Sequence, residues 1–412
     1  MDVPNFPQFI FNFMTPIVSS VFWIGLLIIF YTYVGYGLVI LLLSKLKGKP
    51  ARFTNSPDEA LPEVTLLIAA YNEEQCIEDK IENSLNLDYP KDKLSVFFVT
   101  DGSTDNTPDI VKKFHAVKLF HDLQRKGKIH AVNRVMKHVT TPIVIFSDAN
   151  TLLNSQAIRN LVRHYENPAV GGVAGEKRIF KSAEDNASGS GEGFYWKYES
   201  FLKRKDAEVY SIVGAAGELF SIRTALYEEP SENTIIEDFY LSMRICAKGY
   251  RFMYEPDAYA LETASASVDE EWKRKVRICA GGFQAIVKLK SLLNPLRYGI
   301  LTFQYISHRV LRWTLAPFFL PVIFIANLWL AISGPALYDL LLAAQLAFYA
   351  LAFAGYLLRD KKIALKGFFV PYYFMVMNFA VYAGLNRYIQ GKQSVVWEKA
   401  RRATIAPQSI KS

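Results

Sequence analysis

Apolar residues are gathered into long blocks along this chain. No charged residue falls between Asp2 and Lys45, between Arg312 and Asp339, between Asp339 and Arg359, or between Lys366 and Arg387. A bilayer-spanning helix needs about 20 mostly apolar residues, and each gap reaches roughly that length. Residues 53–290 instead mix charge with apolar positions, as a water-facing domain does. In the first block, residues 17–43 read as a helix with Tyr31, Tyr33 and Tyr36 at an aromatic belt. Residues 3–15, with Pro4 and Pro7, suit the interface. The block lacks a basic leader and a small-residue cleavage site, so it reads as an uncleaved anchor. A basic linker with proline and serine follows over 44–62.

Beyond residue 63 the pattern becomes a regular alternation. Short continuous apolar runs at 64–70, 94–100, 116–120 and 142–147 predict strands buried on both faces. Helical spacing separates them at 74–85, 108–115, 128–138 and 155–165. Strands alternating with helices predict an α/β fold with a mostly parallel sheet covered on both faces. Residues 182–193, rich in Gly, Ser, Asp and Glu, read as a loop. Residues 194–205 mix aromatic and basic side chains, as an interfacial helix does. Residues 299–313 read equally as a helix lying on the membrane surface or as a core-facing helix. The expected domains are an anchor with basic linker (1–52), a catalytic domain (53–290), an interfacial helix region (291–313), a C-terminal transmembrane region (314–390) and a basic tail (391–412).

The net charge is +8 over 412 residues. The cations cluster beside the apolar blocks: Lys45, Lys47, Lys49 and Arg52 after the first, Arg359, Lys361, Lys362 and Lys366 between later ones. That is the pattern of a cytoplasmic membrane face, so no nucleic-acid partner is expected. Cys76, Cys246 and Cys279 lie far apart without metal-type spacing and fit a reducing compartment.

Two aspartates stand just past predicted strands, Asp101 and Asp148. In open parallel sheets ligands bind outside those strand ends. Asp101 opens Asp-Gly-Ser-Thr-Asp-Asn-Thr, where Gly102 permits a tight turn and Ser103 or Thr104 is placed to cap the next helix. Asp148-Ala149-Asn150 is either a metal site, offering one carboxylate and one amide to a phosphate-bound cation, or an Asx turn. Lys126, Gly127 and Lys128 precede a helix, as a phosphate contact or as a solvated charged loop. Glu237-Asp238 follows Ile235-Ile236. It is either a carboxylate pair tuned by burial for base catalysis or an acidic helix start. Arg274 and Arg277 share a helix face, suited to a diphosphate or to lipid headgroups.

Taken in order, these segments resemble the membrane-bound family-2 glycosyltransferases of GT-A fold, the group of cellulose, hyaluronan, chitin and poly-N-acetylglucosamine synthases. The resemblance covers residues 60–313. Ala70-Tyr71-Asn72-Glu73 is similar to the family's first nucleotide-binding loop, and Asp101 to its nucleoside-contacting acid. Gly127-Lys128, with Asn133, resembles the segment whose lysine approaches the diphosphate. Asp148-Ala149-Asn150 stands in the place of the Asp-x-Asp metal motif, and Gly214-Ala215-Ala216-Gly217 resembles the loop beneath donor sugar and acceptor. Ile236-Glu237-Asp238 matches Thr-Glu-Asp, whose aspartate is the catalytic base. Residues 274–278 stand where processive members have Gln-x-x-Arg-Trp, with Gly282 and Gln284 following. Three positions depart: Asn150 for the second metal aspartate, Ile236 for threonine, and Ile278 for the tryptophan that stacks on the acceptor. Arg309-Val310-Leu311-Arg312-Trp313 fits a similar pattern and is read as a membrane-entry element.

The resemblance implies an inverting transfer from a nucleotide-diphospho-sugar to a carbohydrate or lipid-linked acceptor. Asp238, beside Glu237, is the implied base. Mg2+ or Mn2+ on Asp148 and Asn150 is the implied cofactor, and Lys128, Arg274 and Arg277 meet the leaving diphosphate. Ala70, Tyr71, Glu73, Asp101, Gly217 and Gln284 complete the implied substrate site. The expected product is a polysaccharide for export or the cell envelope. The alternatives are one sugar added to a lipid carrier or glycolipid, and a scaffold that only binds nucleotide sugar. The catalytic domain is expected in the cytoplasm at the inner membrane. The basic tail around Trp397 then requires one apolar segment, 367–386, to be re-entrant or interfacial.

Overall fold

The computed structural model describes residues 6–48, 57–180, 187–263, 268–359 and 366–391. Expectations for Lys49, Arg52, Lys361, Lys362 and the tail from 392 onward, including Trp397, lie outside the described residues. The first apolar block is one long rod, α1 (Phe6–Phe30), a π turn (Tyr31–Gly35) and α2 (Tyr36–Lys47). It starts earlier than the expected 17–43 because Pro7 falls in the first turn, where a proline costs a helix little.

The alternating region builds β1 (Val64–Ala70), α3 (Ile77–Leu85), β2 (Leu94–Asp101), α4 (Thr107–Lys112), β3 (Lys118–Asp122), α5 (Lys128–Met136), β4 (Ile143–Asp148), β5 (Leu152–Leu153) and α6 (Ala157–Val162). It continues through β6 (Val170–Phe180), α7 (Ala187–Val209), β7 (Leu219–Arg223), α8 (Glu237–Ala247), β8 (Arg251–Thr263) and α9 (Val268–Lys288). One eight-stranded sheet runs β3-β2-β1-β4-β7-β6-β8-β5. Its first four strands are parallel, and β7 joins β4 antiparallel. Leu66 and Ile68 face one buried layer while Leu67 faces the other. Covering on both faces explains the continuous apolar runs.

Register sets the site. β1 pairs Ala69 with Asp148 and Ala70 with Thr100. Asp101 and Asp148 therefore leave the same sheet edge on either side of β1, roughly 10 Å apart at two strand spacings. The chain passes from β1 to β2 on one side and returns to β4 on the other. A crevice opens at such a reversal.

The loop expected at 182–193 is helical from Ala187 onward, the start of α7. Helix propagation costs little once a long segment has nucleated, and α7 packs against α2 through Leu202, Val209, Tyr36 and Ile40. Ser103 and Thr104 do not cap α4. They bond instead to Asn72, and Asp105 Oδ1 accepts from the Thr107 amide at 3.0 Å. Residues 299–313 become α10's continuation: after α10 (Pro295–Tyr298) come α11 (Ile300–Tyr305), a second π turn (Ile306–Val310) and α12 (Leu311–Trp313). Leu301, Tyr305 and Trp313 are buried in the same core cluster as Leu67, Val99 and Val144 of the sheet, so this face is core-facing.

α13 (Leu315–Ser333), α14 (Leu337–Leu357) and α15 (Lys366–Ile389) follow. Among the described residues, four helical stretches are long and apolar enough to cross a membrane: Phe13–Lys47, Leu315–Ile332, Leu337–Leu357 and Gly367–Ile389. The rod is tied to the rest by polar bonds. Tyr31 Oη and Ser307 Oγ join the two π turns at 2.8 Å. The Tyr36 hydroxyl donates to Asp206. His308 Nδ1 lies 2.6 Å from Asp206 Oδ2, and Glu199 pairs with Arg309 and Arg312.

Candidate active site

The two strand-end acids are held differently. Asp101 is buried and accepts from the backbone amides of Lys126, at 3.0 Å, and Gly127, at 2.6 Å. It thereby fixes the turn that launches α5. Gly102 is required beside it: its φ is +64°, and an added Cβ would lie 2.5 Å from Arg125 Cβ. Asp148 keeps a partly open side chain at the crevice floor, and Oδ1 accepts from Lys128 Nζ at 2.9 Å.

Lys128 is the first residue of α5, and its ammonium also meets Glu237 Oε1 at 3.0 Å. Burial lowers its proton affinity, but Asp148 and Glu237 outweigh that and hold it well above the usual lysine range. Lys128 therefore bridges the crevice acid and the α8 acid, where the sequence suggests a phosphate contact or a solvated charged loop.

Asp238 opens α8 beside Glu237, and Oδ1 accepts from the Phe239 amide at 2.8 Å. Burial and the adjacent Glu237 push its carboxyl up to about 7, and Lys128 offsets only part of this. The loop over the site supplies the clearest measure of convergence. A Cβ built on Gly217 would stand 3.4 Å from Asp238 Oδ2, 3.6 Å from Lys128 Nζ and 3.9 Å from Asp148 Oδ2. Three groups from three elements thus face one open point. Gly214, at φ +89°, lets this loop lie against the Phe239 ring, where any Cβ would clash.

The remaining expected residues fall around this centre. Ala70 ends β1, and the Tyr71 ring carries the Arg125 guanidinium 3.7 Å from its centroid. The Glu73 amide donates to Thr107 Oγ1 at 2.8 Å. Arg277 donates to the Ile235 carbonyl at 3.4 Å. Burial lowers its proton affinity, while Glu237, Asp238 and Asp148 raise it, which places it in the field of all three acids. Arg274 pairs with Glu271 at 2.9 Å. Gln284 binds backbone at both ends, accepting from the Ile235 amide at 3.1 Å and donating to the Asn233 carbonyl at 2.8 Å. It braces the segment leading into Asp238. Asn150 sits in the turn after β4.

Sequence reasoning missed three side chains. Arg125 caps Tyr71. Lys177 bridges Glu218, at 2.7 Å, and Glu262. Burial alone would raise the Glu218 carboxyl, but Lys177 holds it well below the usual range. Lys80 lies fully buried beneath the Asp148 turn; burial pushes it down to about 7 while the Asp148 carboxylate pulls it back up. Lys177 and Lys80 left a trace in the sequence, since each interrupts an inward apolar stripe.

Among the described residues no group of three or more His, Cys, Asp and Glu is placed to hold a metal ion by itself. One partly open carboxylate, Asp148 with Lys128 on one of its oxygens, and a nearby amide do suit Mg2+ or Mn2+ arriving with phosphate oxygens and water as its other ligands.

Comparison with known proteins agrees with this arrangement. The family model for glycosyl transferase family 2 matches residues 65–229. Poly-beta-1,6-N-acetyl-D-glucosamine synthase of Staphylococcus aureus is 28% identical over 295 residues, covering 68% of this chain and 66% of its own length. The Staphylococcus epidermidis synthase is 27% identical over 300 residues, covering 68% and 67%. The chain thus spans slightly under two thirds of the S. aureus relative. A mannosyltransferase of Pyrobaculum calidifontis, solved with GDP-Man and Mn2+, shares the fold at a TM-score of 0.70 and 24% identity, covering 91% of this chain and 100% of that one. Strand order, crevice and family match agree on one likeness: residues 65–229 of this chain are similar to glycosyl transferase family 2.

Proposed function

We propose that the protein is an inverting membrane glycosyltransferase that moves a sugar from a nucleotide-diphospho-sugar to a growing polysaccharide for export or the cell envelope. The convergence of Asp238, Lys128 and Asp148 around Gly217 carries this reading. A carboxyl pushed up to about 7 suits a general base at neutral pH. Asp238 takes the proton of an acceptor hydroxyl as its oxygen attacks the anomeric carbon in one displacement. Lys128 and Arg277 supply positive charge near the departing diphosphate. Asp148 and Asn150 would hold Mg2+ or Mn2+, which when bound adds charge to meet that diphosphate. Arg125 and Tyr71 form a flat wall at the nucleoside end of the crevice.

Ile278 supports a second reading, a single transfer to a lipid carrier or glycolipid. It stands where processive members stack a tryptophan on the acceptor, and it packs partly buried on the core instead. Radiolabelled donor in membranes decides: a ladder or polymer for the first reading, one lipid-soluble product for the second. A screen of purified protein against several nucleotide sugars, reading released nucleotide, identifies the donor, and no release from any would end both.

The same reading places the catalytic domain at the cytoplasmic face of the inner membrane. α15 lies along α9 of the catalytic domain, with Gly384 against Cys279 and Tyr388 stacked on Phe283. That contact supports residues 367–386 as the re-entrant or interfacial segment and a cytoplasmic tail. Protease access to a C-terminal tag tests it.

A further inference from the structure

The inward stripe of α3 is Ile77, Lys80, Ile81 and Ser84. A lysine on such a stripe costs free energy that an apolar side chain of equal length would not. Lys80 has no exposed surface, and its Nζ reaches three oxygens. It donates to Ser147 Oγ at 2.8 Å, to the Thr151 carbonyl at 2.8 Å and towards Thr151 Oγ1 at 3.4 Å. An ammonium has three protons, and the three oxygens within reach lie at the two ends of one turn. Inside that turn lie Asp148, Ala149 and Asn150. The same oxygens pass the constraint on: Thr151 Oγ1 donates to the Asp148 carbonyl at 2.9 Å, and Ser147 Oγ to the Glu218 carbonyl at 3.1 Å, next to Gly217.

We infer that Lys80 is a positioning residue whose buried ammonium clamps both ends of the 147–151 turn, setting Asp148 and Asn150 to receive a divalent cation carried by a nucleoside diphosphate. The inference rests on the reading of Asp148 as the cation-facing acid. Lys80 touches neither cation nor substrate. It acts by denying the turn the freedom that would spread its carboxylate and amide over several orientations.

The test uses the purified full chain and Lys80→Met, with Mn2+ plus UDP and Mn2+ plus GDP as calorimetric probes. Removing an outer support of a metal site typically costs 10–100-fold in metal affinity, so Mn2+-nucleotide binding is expected to weaken by about tenfold or more. In the metal-free protein, hydrogen exchange should quicken at the amides of 147–152 and stay unchanged in β1 and β2. With the identified donor, KM should rise by about the same factor as the binding loss while kcat stays within about threefold. Unchanged exchange at 147–152, or Mn2+-nucleotide affinity within about twofold of the parent, overturns the inference. If the parent binds neither probe, the cation-facing reading of Asp148 fails, and the exchange comparison alone decides whether Lys80 clamps the turn. If Lys80→Met does not fold, Thr151→Val keeps the lysine, removes one hydroxyl, and should show the same local exchange change at smaller size. No change there overturns the inference equally.

Discussion

Replacing Asp238 by asparagine separates catalysis from stability at a single atom. The wild-type carboxyl is raised from 3.8 to about 7 by burial and by Glu237. A tenfold change in proton affinity is worth about 1.36 kcal/mol, so the charged form is disfavoured in the fold by a ceiling of about 4 kcal/mol. The side chain is only half-buried, and solvent reduces this to roughly 2 kcal/mol. Because the folded-state pKa is raised, the wild type has its full stability below about pH 3.8 and loses stability as pH rises through about 7. Asparagine stays neutral throughout. The variant should therefore melt at nearly the wild-type temperature at or below about pH 3.8, and about 4–8 °C higher above pH 7 for a domain of this size. Turnover should fall by roughly two to four orders of magnitude, while Mn2+-nucleotide binding survives. Thermal melts by tryptophan fluorescence across that pH range, with turnover on the same samples, make the comparison. A melting difference independent of pH would refute the account of the raised carboxyl. Near-wild-type turnover would refute its role as base.

Other consequences follow from the same centre. The kcat/KM profile should show an acid limb near pH 7, because the base must be deprotonated, and Glu237→Gln should move that limb to lower pH by removing the adjacent negative charge; a limb that stays or moves up contradicts this. Asp148→Ala should abolish metal-dependent donor binding in calorimetry, and unchanged affinity with metal would refute its role. Gly217 lies outside the left-handed backbone region, so Gly217→Val should fold normally. Its side chain would fill the point shared by Asp238, Lys128 and Asp148, raising donor KM by about tenfold or more; an unchanged KM would show that the donor does not pass there.

The parallel half of the sheet was legible because each strand is a continuous apolar run ending at an acid or a turn. The other half, where strand directions are mixed, was not. β6 and β8 carry Lys177, Glu255 and Glu262 inside the fold, and charges that neutralise one another across strands hide the burial a sequence pattern relies on. At the site, residue types revealed the acids, but not the partners of each. Lys128 reads as a free phosphate ligand until Glu237, more than a hundred residues later, is seen beside it. Arg125 on Tyr71 is likewise a contact between loops that no local spacing encodes.

The bond between Tyr31 and Ser307 has an engineering consequence. Each π turn inserts an extra residue into its helix, so each resets the rotational phase of everything after it. Straightening 31–35 into ordinary α-helix at unchanged length would leave the apolar composition as it is, yet turn Tyr36 and Ile40 by roughly 100° about the axis. The Tyr36 hydroxyl would then face away from Asp206, and Ile40 away from Leu202. Two anchors of equal hydropathy are therefore not interchangeable on this protein unless they carry the same angular offset at the point where the rod meets the sheet domain.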